Sequence, residues 1–493
     1  MEDKAPASSS ALSASLLPPS TSENNVQGVL GSPVLLALIF KAYLASCSLV
    51  DWQKNHRSRT TLKMVCTFWK AVLEHTPDLW SNITLVIGMP QCYIDQFFRL
   101  SKAASKCVDI RLHANSESEI VNFTSYIAPK LIEIANTITC LSVQYDTHKN
   151  WNFFTGQLSL WDPQPNFASL RELHATCSNY LYHHFPDAIT HFPGLATEIR
   201  NLRLHGLALT PSIVGFNLVS LALFSLDSVC TNAASSHAFV VNLIHCLRQT
   251  PSLRALSIGD LNECFIQESV VHNFTVVLPR LQNLYYLCNM PLEHPCGFVL
   301  SHISAPQLRI LSICLTNPHN THAFVSANLS KLSIITELRL TGDVQDYIEP
   351  SGGRMGLLPL LNGGPLQHLS VLDIGGLFDL HAEQRASVPT GLLRAFVHGL
   401  SLPAIRLLVV PRLFLSHTPP HHLMESVFKK LLQRAETKSV YEEHAFCLPS
   451  DVEEDHSACG CLWLWDGEAL DLKTHSTHPT TAGHASFLPF TFP

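Results

Sequence analysis

Apolar positions near the amino end of the chain follow a helical spacing. Ser32-Pro33 opens a run in which Leu35, Leu36, Leu38, Ile39, Phe40, Tyr43 and Leu44 wrap one broad face, and proline suits the first helical turn. A second run, Leu62, Val65, Cys66, Trp69 and Leu73, repeats the spacing, and a polar, basic insertion from Asp51 to Thr61 separates the two. A helix pair this short does not bury both apolar faces internally. The pattern therefore predicts that a partner, or the rest of the chain, covers part of this surface.

Further on the spacing changes to aliphatic-x-x-aliphatic-x-aliphatic, as in Leu253-x-x-Leu256-x-Ile258, Leu308-x-x-Leu311-x-Ile313 and Leu369-x-x-Leu372-x-Ile374. This resembles the strand segment of leucine-rich repeats. With 46% hydrophobic residues the bare pattern recurs by chance. A richer echo carries more weight: an aliphatic residue, Arg, any residue, then Leu occurs at Leu170-Arg171-Glu172-Leu173, Ile199-Arg200-Asn201-Leu202, Leu253-Arg254-Ala255-Leu256, Leu308-Arg309-Ile310-Leu311 and Ile405-Arg406-Leu407-Leu408. Pro251, Pro279, Pro306 and Pro403 stand just ahead of candidate strands, where proline ends a helix and feeds an extended segment.

The central aliphatics of these strands are Ile83, Ile110, Leu141, Leu173, Leu202, Leu221, Leu256, Leu284, Leu311, Leu338, Leu372 and Leu408. Most of the intervals between them leave room for one strand and one returning helix. Phe239, Val240, Leu243, Ile244 and Leu247 share a helical face, as do Leu392, Leu393, Phe396, Val397 and Leu400, while Met424, Val427, Phe428, Leu431 and Leu432 suit a closing helix. The expectation is an α/β chain: a short helical hairpin, then an irregular, right-handed strand-helix solenoid resembling leucine-rich repeats.

Composition narrows the function classes. Charged residues are only 14% of the chain, which favours buried surface over disorder, and the net charge of -7 argues against a general nucleic-acid binder. No apolar window reads as a clean membrane span. The 15 cysteines are odd in number and sit mostly in apolar segments, which suits reduced thiols in the cytoplasm and/or nucleus. The order expected is a disordered leader at 1–28, a helical domain at 29–83, the array at 84–438, and a cap or loosely ordered tail at 439–493. In that tail Leu462-Trp463-Leu464-Trp465 packs back on the array or forms a short strand.

Within the helical segment, Val65-Cys66-Thr67-Phe68-Trp69 and Pro77-Asp78-Leu79-Trp80 follow the Pro33-to-Phe40 run in an order that resembles the F-box family. Ser32 stands where that family usually has Leu, and Val34 where an acidic residue is common. The resemblance implies docking of a Skp-type adaptor through Pro33, Leu35, Leu36, Ile39, Phe40, Val65, Cys66 and Trp69. Through the adaptor the chain would join a cullin ubiquitin ligase, with the remainder capturing a target protein. The other reading from sequence is a repeat scaffold outside any ligase, its N-terminal helices only capping the array.

An enzyme reading ranks below both. The chain has no Gly-x-x-x-x-Gly-Lys loop, no Gly-x-Ser-x-Gly turn and no His-Glu-x-x-His helix, so no catalytic residue, cofactor or metal is expected. His444, Cys447, His456, Cys459 and Cys461 cluster, but Cys459-Gly460-Cys461 lacks the usual zinc-ligand gap. Recognition of the target is expected at strand positions between the core aliphatics: Arg171, Glu172, His174, Arg203, His205, Arg254, Tyr285, Tyr286, Arg309, Glu337, Arg339 and Asp373. No nucleic acid and no membrane is expected among the partners.

Overall fold

The computed structural model describes residues 31–46, 52–113, 116–160, 166–177, 198–207, 209, 214–224, 226, 233–259, 275–288, 298–315, 331–343, 366, 368–378, 407–410, 461–465 and 470–474. The chain divides into two compact units, Met1–Asp109 and Ile110–Pro493. The first extends beyond the helical domain read from sequence.

In the first unit three helices come in succession: α1 (Pro33–Ser46), α2 (Trp52–Val65) and α3 (Thr67–His75). A 3-10 turn at Pro77–Trp80, strand β1 (Asn82–Val86) and helix α4 (Gln91–Ser101) follow. Ser32 earns its place at the start of α1 as a cap, its hydroxyl accepting the Leu35 N–H at 3.4 Å. The second helical run of the sequence is in fact two helices. Cys66 leaves the helical region at φ -164 and ψ 169, and its sulfur accepts the Trp69 N–H, so α2 stops and α3 begins. The basic insertion, expected as a separator, is itself most of α2.

α2 exposes Gln53, Lys54 and Arg57 but buries the polar Asn55 and Arg59 together with Leu62. The Arg59 guanidinium donates to the Leu79 carbonyl at 3.0 Å and lies 5.1 Å from the ring centres of both Trp80 and Phe97. Such a buried cation is tolerated because hydrogen bonding and two aromatic faces replace water. Trp80 in turn donates its indole N–H to the Leu73 carbonyl at 2.8 Å, tying the 3-10 turn to α3.

The second unit alternates strands with helices and turns. Strand β2 (Lys106–Leu112) straddles the unit boundary, and α5 (Glu117–Ile134), β3 (Ile138–Tyr145), α6 (His148–Ser159), β4 (Glu172–Cys177), β5 (Asn201–His205) and β6 (Ser220–Phe224) follow. Next come α7 (Ala233–Arg248), β7 (Ala255–Gly259), β8 (Val276–Val277), β9 (Asn283–Cys288), α8 (Phe298–Ser301) and β10 (Ile303–Ser304). The last described elements are β11 (Ile310–Leu315), β12 (Glu337–Asp343), β13 (Val371–Phe378), β14 (Leu407–Val410), β15 (Cys461–Trp465) and β16 (Leu470–Thr474).

One large sheet carries these strands in the order β3-β4-β5-β6-β7-β9-β11-β12-β13-β14-β15-β16. Pairing is parallel from β3 to β14 and antiparallel from β14 through β16. Leu462-Trp463-Leu464-Trp465 therefore lies in a strand, β15, paired between β14 and the last described strand β16.

The parallel strands share one register. Leu141, Leu173, Leu202, Leu221, Leu256, Leu284, Leu311, Leu338, Leu372 and Leu408 stand side by side across it, matching the series of central aliphatics read from the sequence. Those from Leu141 to Leu372 are buried, and each such side chain contributes about 2 kcal/mol relative to exposure. The α7 residues Phe239, Val240, Leu243, Ile244 and Leu247 are buried as one face, as their spacing predicts. The helix expected from Leu392 to Leu400 and the one from Met424 to Leu432 lie outside the described residues.

A repeated turn precedes several of the strands, seen as N–H to carbonyl bonds from Leu253 to Thr250 at 3.1 Å, Leu281 to Leu278 at 3.2 Å and Leu308 to Ala305 at 3.1 Å. Pro251, Pro279 and Pro306 occupy the second position of these turns, where a fixed φ is suited. Proline was expected to end a helix there. α7 does end shortly before Pro251, but ahead of Pro279 and Pro306 the chain forms the short parallel pair β8 and β10.

Candidate protein-binding surfaces

On the helices of the first unit, the residues expected to meet an adaptor divide between surface and core. Pro33, Leu35, Ile39, Val65 and Cys66 are exposed. Leu36 at 0% exposure and Phe40 at 1% are not: both are sealed in the core, a correction to their reading as contact residues. Phe40 meets the half-buried Trp69 edge-to-face at 5.0 Å, so it positions that ring from beneath.

Neighbouring exposed apolar residues enlarge the patch: Val34 (68%), Leu38 (58%) and Tyr43 on α1, Met64 (74%) at the end of α2, and Phe68 on α3. The sequence reading left these out of the contact set. Their signal was the uninterrupted apolar stretch Val34-Leu35-Leu36-Ala37-Leu38-Ile39-Phe40, which leaves apolar side chains on the solvent face whichever face is buried. Three successive helices thus carry exposed apolar side chains, the kind of surface that marks an interaction site.

The sheet of the second unit offers a different surface. On the face opposite the leucine column, register places Ser142, His174, Arg203, Ala222, Ser257, Tyr285, Ser312, Arg339 and Asp373 in one row. His174, Arg203, Tyr285, Arg339 and Asp373 of the expected recognition set are thus gathered on one face. Glu172 and Glu337 share the row beside it. Glu172 accepts from the Asn201 amide at 3.1 Å, and Glu337 holds Arg339 at 2.5 Å.

Tyr286 does not belong to this surface. It pairs in register with Ile258 and Ile313, on the side-chain parity of the core, and is 0% exposed. A two-residue alternation puts adjacent Tyr285 and Tyr286 on opposite faces, and Tyr285, although on the outer parity, is also buried at 7% exposure, so neither ring is an open anchor.

A small aromatic and cationic cluster occupies the middle of the outer face. Phe224 packs against Tyr285 at 6.1 Å between ring centres, and Arg203 lies 5.3 Å above the Phe224 ring. A Cβ added at Gly259 would come within 2.6 Å of Phe224 Cδ1, so this glycine lets the ring lie across the strand. His205 lies 6.1 Å from Phe224, and its backbone carbonyl accepts from the Tyr145 hydroxyl at 3.3 Å. Burial, with the Arg203 charge beside it, pushes His205 down to about 4, so the ring is neutral at physiological pH. Phe224 was not singled out in the sequence; its register with His205 is the signal.

Arg171, Arg254 and Arg309 stand one residue ahead of the strands. The Arg171 carbonyl accepts the Arg200 and Asn201 N–H groups, and its guanidinium lies 3.5 Å from Glu198. Arg254 and Arg309 are exposed.

Among the described residues no group of three His, Cys, Asp or Glu is placed to hold a metal ion, and no helix is long and apolar enough to cross a membrane. Cys66, Cys92, Cys107, Cys140, Cys177 and Cys246 are reduced cysteines, and burial pushes Cys246 up to about 12, far from a reactive thiolate. Apart from Cys461, the residues of the C-terminal His/Cys cluster lie outside the described residues. The chain matches no known family model, and no curated protein matches it in sequence.

Proposed function

We propose that this chain is the substrate-recognition subunit of a Skp/cullin/F-box type ubiquitin ligase. The helices of residues 29–83 dock a Skp-type adaptor, and a leucine-rich-repeat-like solenoid presents a target protein. The observation that carries the reading is the exposure of the apolar side chains Leu35, Leu38, Ile39, Met64, Val65 and Phe68 on helices whose motif pieces follow the F-box order. The recurring parallel strands with their leucine column support the solenoid half.

In this role the chain is not an enzyme and needs no nucleophile. It raises the effective concentration of target lysines near the charged ubiquitin carrier, which converts an encounter into a nearly intramolecular step.

Co-purification with a Skp-type adaptor tests the proposal. The intact chain retains the adaptor, and Ile39→Asp loses it while keeping its folded circular-dichroism spectrum, since Ile39 is exposed. Leu36→Asp is unsuited to the purpose, because it places a charge in the core. An intact chain that ignores the adaptor, yet loses stability when residues 29–83 are deleted, is instead the non-ligase scaffold.

A further inference from the structure

The carbonyl and N–H ladder at the strand starts aligns one residue per strand. Arg200 bonds to Val219, Val219 to Arg254, Arg254 to Gln282, and Gln282 to Arg309, each carbonyl accepting two successive N–H groups of the next strand's approach. Arg200, Arg254 and Arg309 therefore recur on alternate strands, ahead of β5, β7 and β11. All three are exposed, and no carboxylate among the described residues pairs with them. Arg171, by contrast, is held by Glu198.

The charge of this edge opposes that of the whole chain. Net charge is -7, yet between Glu198 and Glu337 no described residue is an Asp or Glu, while Arg280 adds a fourth exposed cation on the turn before β9. Asp227, Asp260, Glu263, Glu268 and Glu293 lie outside the described residues. A column of unpaired guanidinium groups fits carboxylates better than any other common protein group.

Spacing selects the form of the ligand. Neighbouring strands stand about 4.8 Å apart, so arginines on alternate strands recur at roughly 9.6 Å. A polyproline II segment rises about 3.1 Å per residue with three residues per turn, which returns a side chain to the same face every ~9.3 Å. We propose that the Arg200, Arg254 and Arg309 column docks an extended acidic segment of a partner protein, with a carboxylate at every third residue. The inference deepens the target-capturing half of the proposed function and rests on that reading. Its test contains no adaptor, so failure of adaptor docking and failure of segment docking are read separately.

The probe is a fluorescein-labelled peptide of about five Glu-Pro-Pro repeats, titrated into the full chain at low and moderate salt. A second peptide of the same composition carries its glutamates in one block, and an oligothymidylate of matched charge serves as a third ligand. The periodic peptide binds tightest, each of Arg200→Gln, Arg254→Gln and Arg309→Gln weakens it by about three- to fivefold, and the triple variant erases its advantage over the blocked peptide. Unchanged melting temperatures show the variants folded, as befits exposed side chains. Equal affinity for the two peptides, indifference to Arg254→Gln, or tighter binding of the oligothymidylate overturns the proposal, the last in favour of a nucleic acid.

Discussion

Leu35 and Leu36 are adjacent and chemically alike, yet one is exposed and the other is sealed in the core. The sequence was silent on this because Val34 to Phe40 is apolar all round, so spacing cannot say which face turns inward. His205 shows the same limit on the sheet. Its strand position was legible from alternation, but its environment is set by Phe224, whose strand lies nineteen positions further along the chain. A histidine held near 4 in the fold and near 6.5 when unfolded takes up its proton first in the unfolded chain. Its contribution to stability is therefore complete above pH 6.5 and is lost as pH falls toward 4, by an upper limit of about 3 kcal/mol. Thermal melting followed from pH 7 to pH 4.5 should show this decline, and His205→Gln should flatten it; parallel slopes for the two proteins would show that other groups control the acid response.

Among the elements, the parallel strands were the most legible, because they carry the same leucine in the same register and several are announced by a turn with buried leucine at its close. Their outer face was less so. Tyr286 had the residue type of a recognition anchor, and only register reveals that it faces the core. The helical segment was misjudged at Cys66, since a sulfur cap is weak and leaves no mark in hydrophobic spacing. The leucine column makes a prediction of its own. Leu256→Ala should cost about 2–5 kcal/mol in chemical denaturation, whereas Ser257→Ala, one position along and on the outer face, should change stability by less than ~0.5 kcal/mol. Similar losses for both would mean that the sheet is not built on that column.

For the whole molecule, two compact units carry two kinds of surface: an apolar one on helices and a polar, locally cationic one on a sheet. Apolar surface suits constant docking to one partner, and a polar face with charged rims suits selection among many. This division fits the proposed role of an adaptor-bound recognition subunit. The order of the motif pieces pointed to the first surface; alternation along the strands pointed to residues of the second, and strand register then aligned His174, Arg203, Tyr285, Arg339 and Asp373 in one row.

The most direct measurement is a calorimetric titration of a purified Skp-type adaptor into the full chain and into its Leu35→Ser, Ile39→Ser, Val65→Ser triple variant. The intact chain should bind one-to-one with a negative heat-capacity change, and the variant should lose at least about thirtyfold in affinity while still melting cooperatively. Absence of heat for the intact chain, or equal affinity for both proteins, would contradict adaptor docking.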